Sequence, residues 1–468
     1  MVINLIKIMD NKEEIKKILK NIKTQKAVST KTISYKGDRQ VHGAYDIDLS
    51  LLRFNPFNDR IHTDIKEFEY SKGIDFMSLP VEEMNNIISE MIWKKHESKN
   101  KTTLKDIKEK KQIEVGVITS DGLIVDGNRR FMLLRKIQAS GETRPFRAII
   151  LDETYEDDPA SKYQIKLLEL SLQDGEDKKE DYDSIDQYIR IIDFVDTYVE
   201  SNNPRANYSV LAGKFNKSES QIKKMYQIGR MMQRYLKHIK CDNMYSRLRK
   251  KEELFIKLYG THKNIENEGG KTPWKFDPID DAEDFETIGF DLIRWSYNPK
   301  ADTGEWTTSR NLRDIYFIDS KENTIFSNKR TWNEFKSKVT EYTTDPVNRE
   351  KPITDYCDER GLNPQEAAEA RDAEWAEKIS STFKGALGRA DNRIKDLKNE
   401  DYPDQIIAEA LDKLKNLIDE DIFTFQDNKI VLLDKTINQL KESEENNEAL
   451  KNLHFIRKIS ESLIREID

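Results

Sequence analysis

Two adjacent arginines follow a glycine where a short apolar run changes its rhythm. The segment DGLIVDGNRRFMLLR, residues 121–135, has the pattern of a strand, a turn and a helix, with Gly127, Arg129 and Arg130 at the helix start. The first N–H groups of a helix lack partners inside it, and the helix dipole is positive there. Glycine permits a close backbone approach, and guanidinium groups donate charge-assisted hydrogen bonds. The turn is therefore predicted to bind an anion such as a polyphosphate; the alternative is a strand–helix corner with solvent-facing arginines.

The elements around this turn are predicted to form one compact module. Residues 44–60 begin as a strand and reach an Asn-Pro turn, and residues 80–98 have the spacing of an amphipathic helix. The runs QIEVGVIT and RPFRAIIL read as two further strands. We therefore expect a small mixed α/β domain over residues 45–152, preceded by an N-terminal helix and linker, 1–44.

A basic block lies inside an acidic protein. Residues 201–250 contain twelve Lys or Arg and two acidic residues, whereas the whole chain of 468 residues has a net charge of −8. Such a block indicates contact with a phosphate backbone. The alternative is a solvated helical surface, which would normally mix both signs.

Within this block the spacing predicts a helix-turn-helix, assigned to a helical domain over residues 153–250. A short helix with Leu211 on its apolar face is followed by a turn, and Ser218 with Gln221 forms a capping box that opens a second helix. Serine and glutamine can read base edges, and lysines hold phosphates. The residues predicted to contact DNA are Lys217, Ser220, Gln221, Lys223, Lys224 and Gln227. An ordinary helical hairpin is the alternative.

Composition narrows the remaining classes. No apolar run approaches the length of a membrane span, and the N-terminus lacks the features of a signal peptide, so we expect a cytoplasmic protein. The chain has two cysteines, Cys241 and Cys357, far apart in sequence, and six scattered histidines. This spacing favours neither a disulfide scaffold nor a zinc site.

Five segments in order carry a resemblance to a known family. NPFNDR, QIEVGVIT, DGNRRFMLL, RPFRAIIL and the helical run before the helix-turn-helix resemble the ParB branch of the ParB/sulfiredoxin superfamily, over roughly residues 45–240. The resemblance implies a DNA clamp that binds a nucleoside triphosphate together with Mg²⁺. CTP is the expected nucleotide. It also implies double-stranded DNA and a second copy of the chain as partners, and association with a nucleoid or plasmid.

The resemblance assigns roles to individual residues. Asn58 stands where family members place a glutamine near the terminal phosphate, which makes it the catalytic candidate for CTPase-like turnover. Family members share three sequence boxes, of which the first matches residues 55–60 here and the second residues 127–130. Matching Glu169 to the acid that precedes the third box places the metal ligands at Gln173 and Asp174, with Glu176 or Asp177 as alternatives to Asp174. The implied nucleotide-binding residues are Asn55, Arg60, Gly127, Asn128, Arg129 and Arg130.

Several functions fit this resemblance. A nucleotide-dependent DNA-binding protein could act in partition, in regulation or in defence on a mobile element. The main alternative is a ParB-fold enzyme acting on DNA, a nuclease or a phosphotransferase or ATPase, with Asp126 or Asp59 as the acid. A structural adaptor with an inactive pocket is a third. Sulfiredoxin chemistry is excluded because Asn128 stands where that enzyme has its cysteine.

The second half of the chain resembles no family. Residues 251–345 are predicted to form a mixed, loop-rich subdomain whose tryptophans pack in a core. Residues 346–468 are predicted to be helical, with apolar stripes that could pack within the domain but are expected to form a dimer interface, because the resemblance to ParB proteins implies a dimer. The first stripe consists of Ile379, Phe383, Leu387, Ala390, Ile394 and Leu397. The fold class predicted for the whole chain is α+β.

Overall fold

The computed structural model describes most of the chain up to residue 399 and a short hairpin beyond it. The described residues are 11–58, 61–155, 158–176, 184–200, 206–267, 277–296, 298, 316, 325–327, 329–345, 350–399, 423–426 and 429–432, without the side chains of 173–176, 327, 396–399 and the hairpin. The chain forms two compact units. Unit 1 comprises Met1–Tyr259 and Glu350–Glu374, and unit 2 comprises Gly260–Arg349 and Trp375–Asp468.

Unit 1 contains a five-stranded mixed sheet, which confirms the predicted α+β class. Its strands run in the spatial order β1-β2-β5-β3-β4. β3 and β5 are parallel, and the other neighbouring strands are antiparallel. The strands are β1 (Ser29–Tyr35), β2 (Asp38–Ile47), β3 (Gly116–Ile118), β4 (Ile124–Asp126) and β5 (Phe146–Ile150).

The predicted linker within residues 1–44 is wrong, because most of it is a β-hairpin. A helix, α1 (Lys12–Lys23), precedes β1, and β1 pairs with β2 along its whole length. Lys36 and Gly37 connect the strands with φ angles of 56° and 90°. Two left-handed residues match the twist of a tight hairpin. The run STKTISY is also rich in the β-branched residues that favour strands.

Helices cover both faces of the sheet. Successive residues of β3 point to opposite sides, so Val117 belongs to one apolar core and Ile118 to the other. The helices of this part are α2 (His62–Lys72), α3 (Val81–Lys95), α4 (Glu97–Lys110), α5 (Asn128–Ala139) and α6 (Pro159–Glu176). The predicted helix at 80–98 and the helix after Gly127 are thus confirmed.

The helical part of unit 1 follows in sequence. Its elements are α7 (Ser184–Phe194), α8 (Tyr208–Lys214), α9 (Glu219–His238), α10 (Glu252–Glu266, which continues into unit 2) and α13 (Ile353–Arg360). The predicted short helix, turn and second helix are therefore present as α8 and α9.

Polar side chains of α2 connect the sheet part of unit 1 to α7. His62 Nε2 and Lys66 Nζ each lie 3.0 Å from a carboxylate oxygen of Asp193. Thr63 donates a hydrogen bond of 3.0 Å to the buried Asp186. Since α2 starts a few residues after Asn58, the first sequence box is directly followed by this polar contact.

Unit 2 is helical in its described residues before 400, and the described residues of 251–345 contain no strand. The loop-rich segments expected there, 268–276 and 299–315 in particular, lie outside the described residues. The helices of unit 2 are α11 (Asp280–Ser296), α12 (Lys329–Thr344) and the later part of α14 (Pro364–Asn399), and β6 (Phe423–Gln426) pairs with β7 (Lys429–Leu432). Trp295 and Trp332 are fully buried, as expected for core tryptophans. None of the described helices is long and apolar enough to cross a membrane.

The first predicted apolar stripe lies in the core of unit 2. Ile379, Phe383 and Leu387 have no exposed surface, and Phe383 packs against Trp295 with ring centroids 5.3 Å apart. This stripe is therefore occupied within the chain and offers no dimer surface. The predicted stripes after residue 400, and the side chain of Leu397, lie outside the described residues.

Candidate functional site

The first and second sequence boxes meet at two asparagines. The Asn55 N–H donates to Asn128 Oδ1 across 3.4 Å, and Asn128 is the first residue of α5. Gly127 precedes it with φ +104°, and a Cβ there would lie 2.9 Å from the ring of Phe146. Gly127 is thus required by both backbone conformation and space. The helix start predicted to bind an anion faces the Asn-Pro loop.

The third box meets the first at a buried carboxylate. Asn58 Nδ2 donates a hydrogen bond of 2.8 Å to Glu169 Oε1. Lys166 Nζ lies 3.3 Å from Glu169 Oε2 and 3.4 Å from the carbonyl oxygen of Phe57. Glu169 has no exposed surface, and Asn58 and Lys166 are also buried. All three boxes therefore converge on the loop that contains Asn55 and Asn58.

Three buried side-chain amides near this loop have an NH2 group without an acceptor among the described residues. They belong to Asn55, Asn85 and Asn128. A buried donor without a partner costs about 1–3 kcal/mol, so each is suited to an acceptor oxygen from water or a ligand. Asn85 Oδ1 accepts from the Phe54 N–H at 3.0 Å. Sequence reasoning missed Asn85, although it lies three positions before the buried Ile88 on the apolar face of α3.

The two arginines make contacts within the chain. Arg129 Nε donates to Asn100 Oδ1 at 2.7 Å. Arg130 lies 3.0 Å from Asp126 Oδ2, which Lys31 Nζ also approaches to 3.2 Å. These guanidinium groups hold α5 against α4 and β4. Backbone N–H groups at the start of α5 and the amides of Asn55 and Asn128 are therefore the donors that best fit a phosphate here.

Magnesium fits this junction less well. The Glu169 carboxylate already accepts from Asn58 and pairs with Lys166. That arrangement leaves it poorly suited as an oxygen ligand for a divalent cation. Gln173 and Asp174 lie in α6 with side chains outside the described residues, and Arg60 also lies outside them.

The helix-turn-helix has the local geometry that its sequence predicts. Ser218 Oγ accepts from the Gln221 N–H at 3.1 Å, and Gln221 Oε1 accepts from the Ser218 N–H at 2.8 Å. This confirms the capping box at the start of α9. Asn216 lies in the turn with φ 47°, a left-handed conformation that asparagine tolerates. Ile222 is fully buried, which fixes the orientation of α9.

The predicted DNA-contacting side chains are not equally available. Ser220, Lys224 and Gln227 are exposed on α9, whereas Lys217 is half-buried. Lys223 pairs with Glu219 at 2.8 Å and lies over the ring of Tyr208. Gln221 is exposed, but its side chain is engaged in the capping box. The side chains of α9 most available to a partner are therefore those of Ser220, Lys224 and Gln227.

Several cations of the basic block have acidic partners from distant segments. Arg230 lies 3.3 Å from Asp196, and Arg247 is bonded to the buried Asp372. Burial lowers the pKa of Arg247, and Asp372 outweighs it, so the pKa is raised. The charge count over 201–250 therefore overstates the positive charge available to a polyanion, because Asp372, which pairs with Arg247, lies outside the counted segment.

Comparison of the chain with protein-family models, curated proteins and solved structures finds no match. Two features of unit 1 are the candidates for function. One is the junction of Asn55, Asn58, Asn128 and Glu169, and the other is the exposed face of α9.

Proposed function

We propose that this chain is a ParB-like DNA-binding protein. Its sheet part binds a nucleoside triphosphate, with CTP as the expected nucleotide, and α8 and α9 bind DNA. The observation that carries the proposal is the meeting of three segments distant in sequence. The loop with Asn55 and Asn58, the α5 start at Asn128 and Glu169 of α6 adjoin one another. The settings that fit are partition, regulation or defence on a mobile element.

The junction supports a phosphate-bearing ligand through its donors. The amides of Asn55 and Asn128 are buried and lack acceptors among the described residues. The N–H groups at the start of α5 carry the positive end of the helix dipole. Arg129 and Arg130 support the ligand indirectly, since they fix the position of α5. Metal-ion chemistry is assigned to no residue here.

Binding of DNA is supported by the exposed face of α9. A short helix, a tight turn and a capped second helix suit entry into a major groove. In this proposal the exposed Ser220 and Gln227 read base edges, and the exposed Lys224 holds a phosphate. We expect the chain to bind DNA as a dimer, formed through a surface other than the buried stripe of α14.

Titration of CTP, ATP and GTP by isothermal calorimetry tests the nucleotide site. We expect CTP to bind the full chain, with and without duplex DNA and magnesium chloride. Arg129→Ala and Arg130→Ala should weaken binding because α5 loses its supports. Arg135→Ala is the matched control, since Arg135 lies on the same helix and pairs with Glu82 at 2.7 Å. Absence of nucleotide binding by the wild type would refute this part of the proposal.

Salt-dependent DNA binding tests the α9 face. The double variant Lys223→Ala and Lys224→Ala should weaken binding and reduce the slope of log K against log salt by about 0.9 for each phosphate that is no longer neutralised. Lys101→Ala with Lys105→Ala removes two exposed lysines from α4 and serves as the control. Equal affinities of the two double variants would mean that DNA does not use this face. Light scattering of the same samples measures the molar mass, which shows whether the chain is a dimer.

A further inference from the structure

A groove of about 750 Å³ lies within unit 2, between α12 and α14. Its α12 wall includes Arg330, Glu334 and Lys338, spaced four residues apart along one helical face. Its α14 wall includes Arg389 and Arg393, also four residues apart. The volume falls within the range of small-molecule sites, about 300–1,000 Å³. The groove consists of residues with no role in the proposed nucleotide junction.

The lining of the groove is strongly basic. Its five cationic side chains face one carboxylate, that of Glu334; they are Lys329, Arg330, Lys338, Arg389 and Arg393. Glu334 lies between two guanidinium groups, 3.0 Å from Arg330 Nε and 2.9 Å from Arg393 Nη1. That carboxylate joins the two walls and holds the arginines across the groove. Among the side chains that line the groove, cations outnumber carboxylates five to one, and Lys338 also lies 2.9 Å from Glu341 outside the lining.

The floor of the groove is apolar. Phe335, Ala386 and Ala390 are buried beneath the charged rim. Alanine side chains leave room for a ligand between the helices, and Asn333 and Ser337 add neutral hydrogen-bonding groups. A small molecule with an anionic part and a less polar part matches this arrangement.

We propose that the groove binds a small ligand that carries two or more phosphate groups. Arg389 presents a guanidinium group of the planar type that matches phosphate oxygens, and Arg330 and Arg393, held beside Glu334, add positive charge around it. The lined part of α12, residues 329–338, is about 14 Å long at the helical rise of about 1.5 Å per residue. That length fits one small molecule better than a nucleic-acid strand of several nucleotides.

Binding of inorganic tripolyphosphate to the full chain tests the proposal. Isothermal calorimetry at physiological salt should show binding that Arg389→Glu weakens about tenfold or more, because a charge-assisted contact becomes a repulsion. Lys378→Glu is the matched control: Lys378 is exposed on the same helix, outside the groove, and the charge change is identical. We expect it to change the affinity less than about twofold at a distance that salt screens.

Three results would overturn the groove site. The first is no binding of tripolyphosphate by the wild type at millimolar concentration, and the second is equal weakening by Arg389→Glu and Lys378→Glu. The third is binding that survives Arg389→Glu but is abolished in Arg130→Ala, which would assign the ligand to the proposed nucleotide junction. Binding of a single-stranded oligonucleotide through Arg389, with none of tripolyphosphate, would replace the small ligand by nucleic acid.

Discussion

Asn58 Nδ2 donates a hydrogen bond of 2.8 Å to Glu169 Oε1, although 111 residues separate the two in sequence. Both side chains are buried, and Lys166 lies beside the carboxylate at 3.3 Å. A buried ion pair is tolerated only when its remaining hydrogen-bonding capacity is used. The bond therefore fixes the Asn-Pro loop to α6 and gives the junction a defined geometry.

Replacing Glu169 by alanine should strongly destabilise the protein. The substitution removes the carboxylate that pairs with the buried Lys166 and one acceptor of the Asn58 side chain. Breaking one partner of a buried pair costs about 3–5 kcal/mol. Urea unfolding measures this loss. Glu109→Ala, at an exposed ion pair on α4, should cost less than about 0.5 kcal/mol, and similar costs for both variants would contradict the assigned burial.

Gly127→Ala should destabilise the start of α5. The position has φ +104°, and the new Cβ would approach Phe146 to 2.9 Å. The left-handed conformation alone costs about 1–2 kcal/mol for an L-residue, and the close contact adds to it. Gly388→Ala, inside α14 with nothing within 4 Å of the new Cβ, should instead stabilise by about 0.5–1 kcal/mol. The midpoint temperature of thermal unfolding should therefore fall for Gly127→Ala and rise for Gly388→Ala.

Ser218→Ala should weaken the start of α9. It removes the hydroxyl that accepts from the Gln221 N–H and thus half of the capping box. Loss of an N-cap costs about 1 kcal/mol. Amide hydrogen exchange in the first turn should become faster. Ser220→Ala, two residues later and exposed, is the control for stability, and faster exchange in that variant would argue against the cap.

Asp193 should make stability depend on acid pH. Burial raises its pKa, but the hydrogen bonds and charges of His62 and Lys66 outweigh burial and lower the pKa from 3.8 to about 2. A lowered folded-state pKa contributes stability above about pH 4, which is lost as the pH falls towards about 2. The shift corresponds to about 2 kcal/mol.

Comparison of the wild type with Asp193→Asn isolates this contribution. The free energies of unfolding should differ most near pH 6, and the difference should shrink below about pH 4 and vanish only as the pH falls to about 2 and below. Asp106→Asn, at an exposed residue of α4, should show no such convergence. A constant difference for Asp193→Asn over this range would mean that its carboxylate is not ionised in the way assigned here.

Local patterns predict the elements well where one periodicity dominates. The strand–turn–helix at Gly127 and the capping box at Ser218 depend on neighbours in sequence, and the sequence predicts both. The end of β2 is predicted as a strand from residue 44, but β1 and the first part of β2 escape prediction because they expose many polar residues and show no apolar alternation. The mixed subdomain expected for residues 251–345 is inferred from tryptophans and glycines. These residue types do not distinguish a helical core from a core of helices and strands.

The contacts of the candidate site can be predicted only in part. The order of the boxes places Asn55, Asn58 and Asn128 together, and the structure brings them together. The partners of Arg129 and Arg130 cannot be inferred, because Asn100 reaches Arg129 from another helix and Lys31 shares Asp126 with Arg130. Side-chain pairing between distant segments is a property of packing, which periodicity does not encode.

The polar contact between α2 and α7 restricts how the parts of unit 1 can move. Apolar surfaces can slide with little change in contact area, but Asp186 and Asp193 each contact specific polar side chains of α2. A shift by one residue would separate Thr63 from Asp186 and Lys66 from Asp193. Because both carboxylates lie in partly or fully buried positions, intermediate positions are disfavoured. Any rearrangement started at the Asn58 loop must therefore proceed between discrete registers of α2, as an exchange of partners and not as a gradual slide.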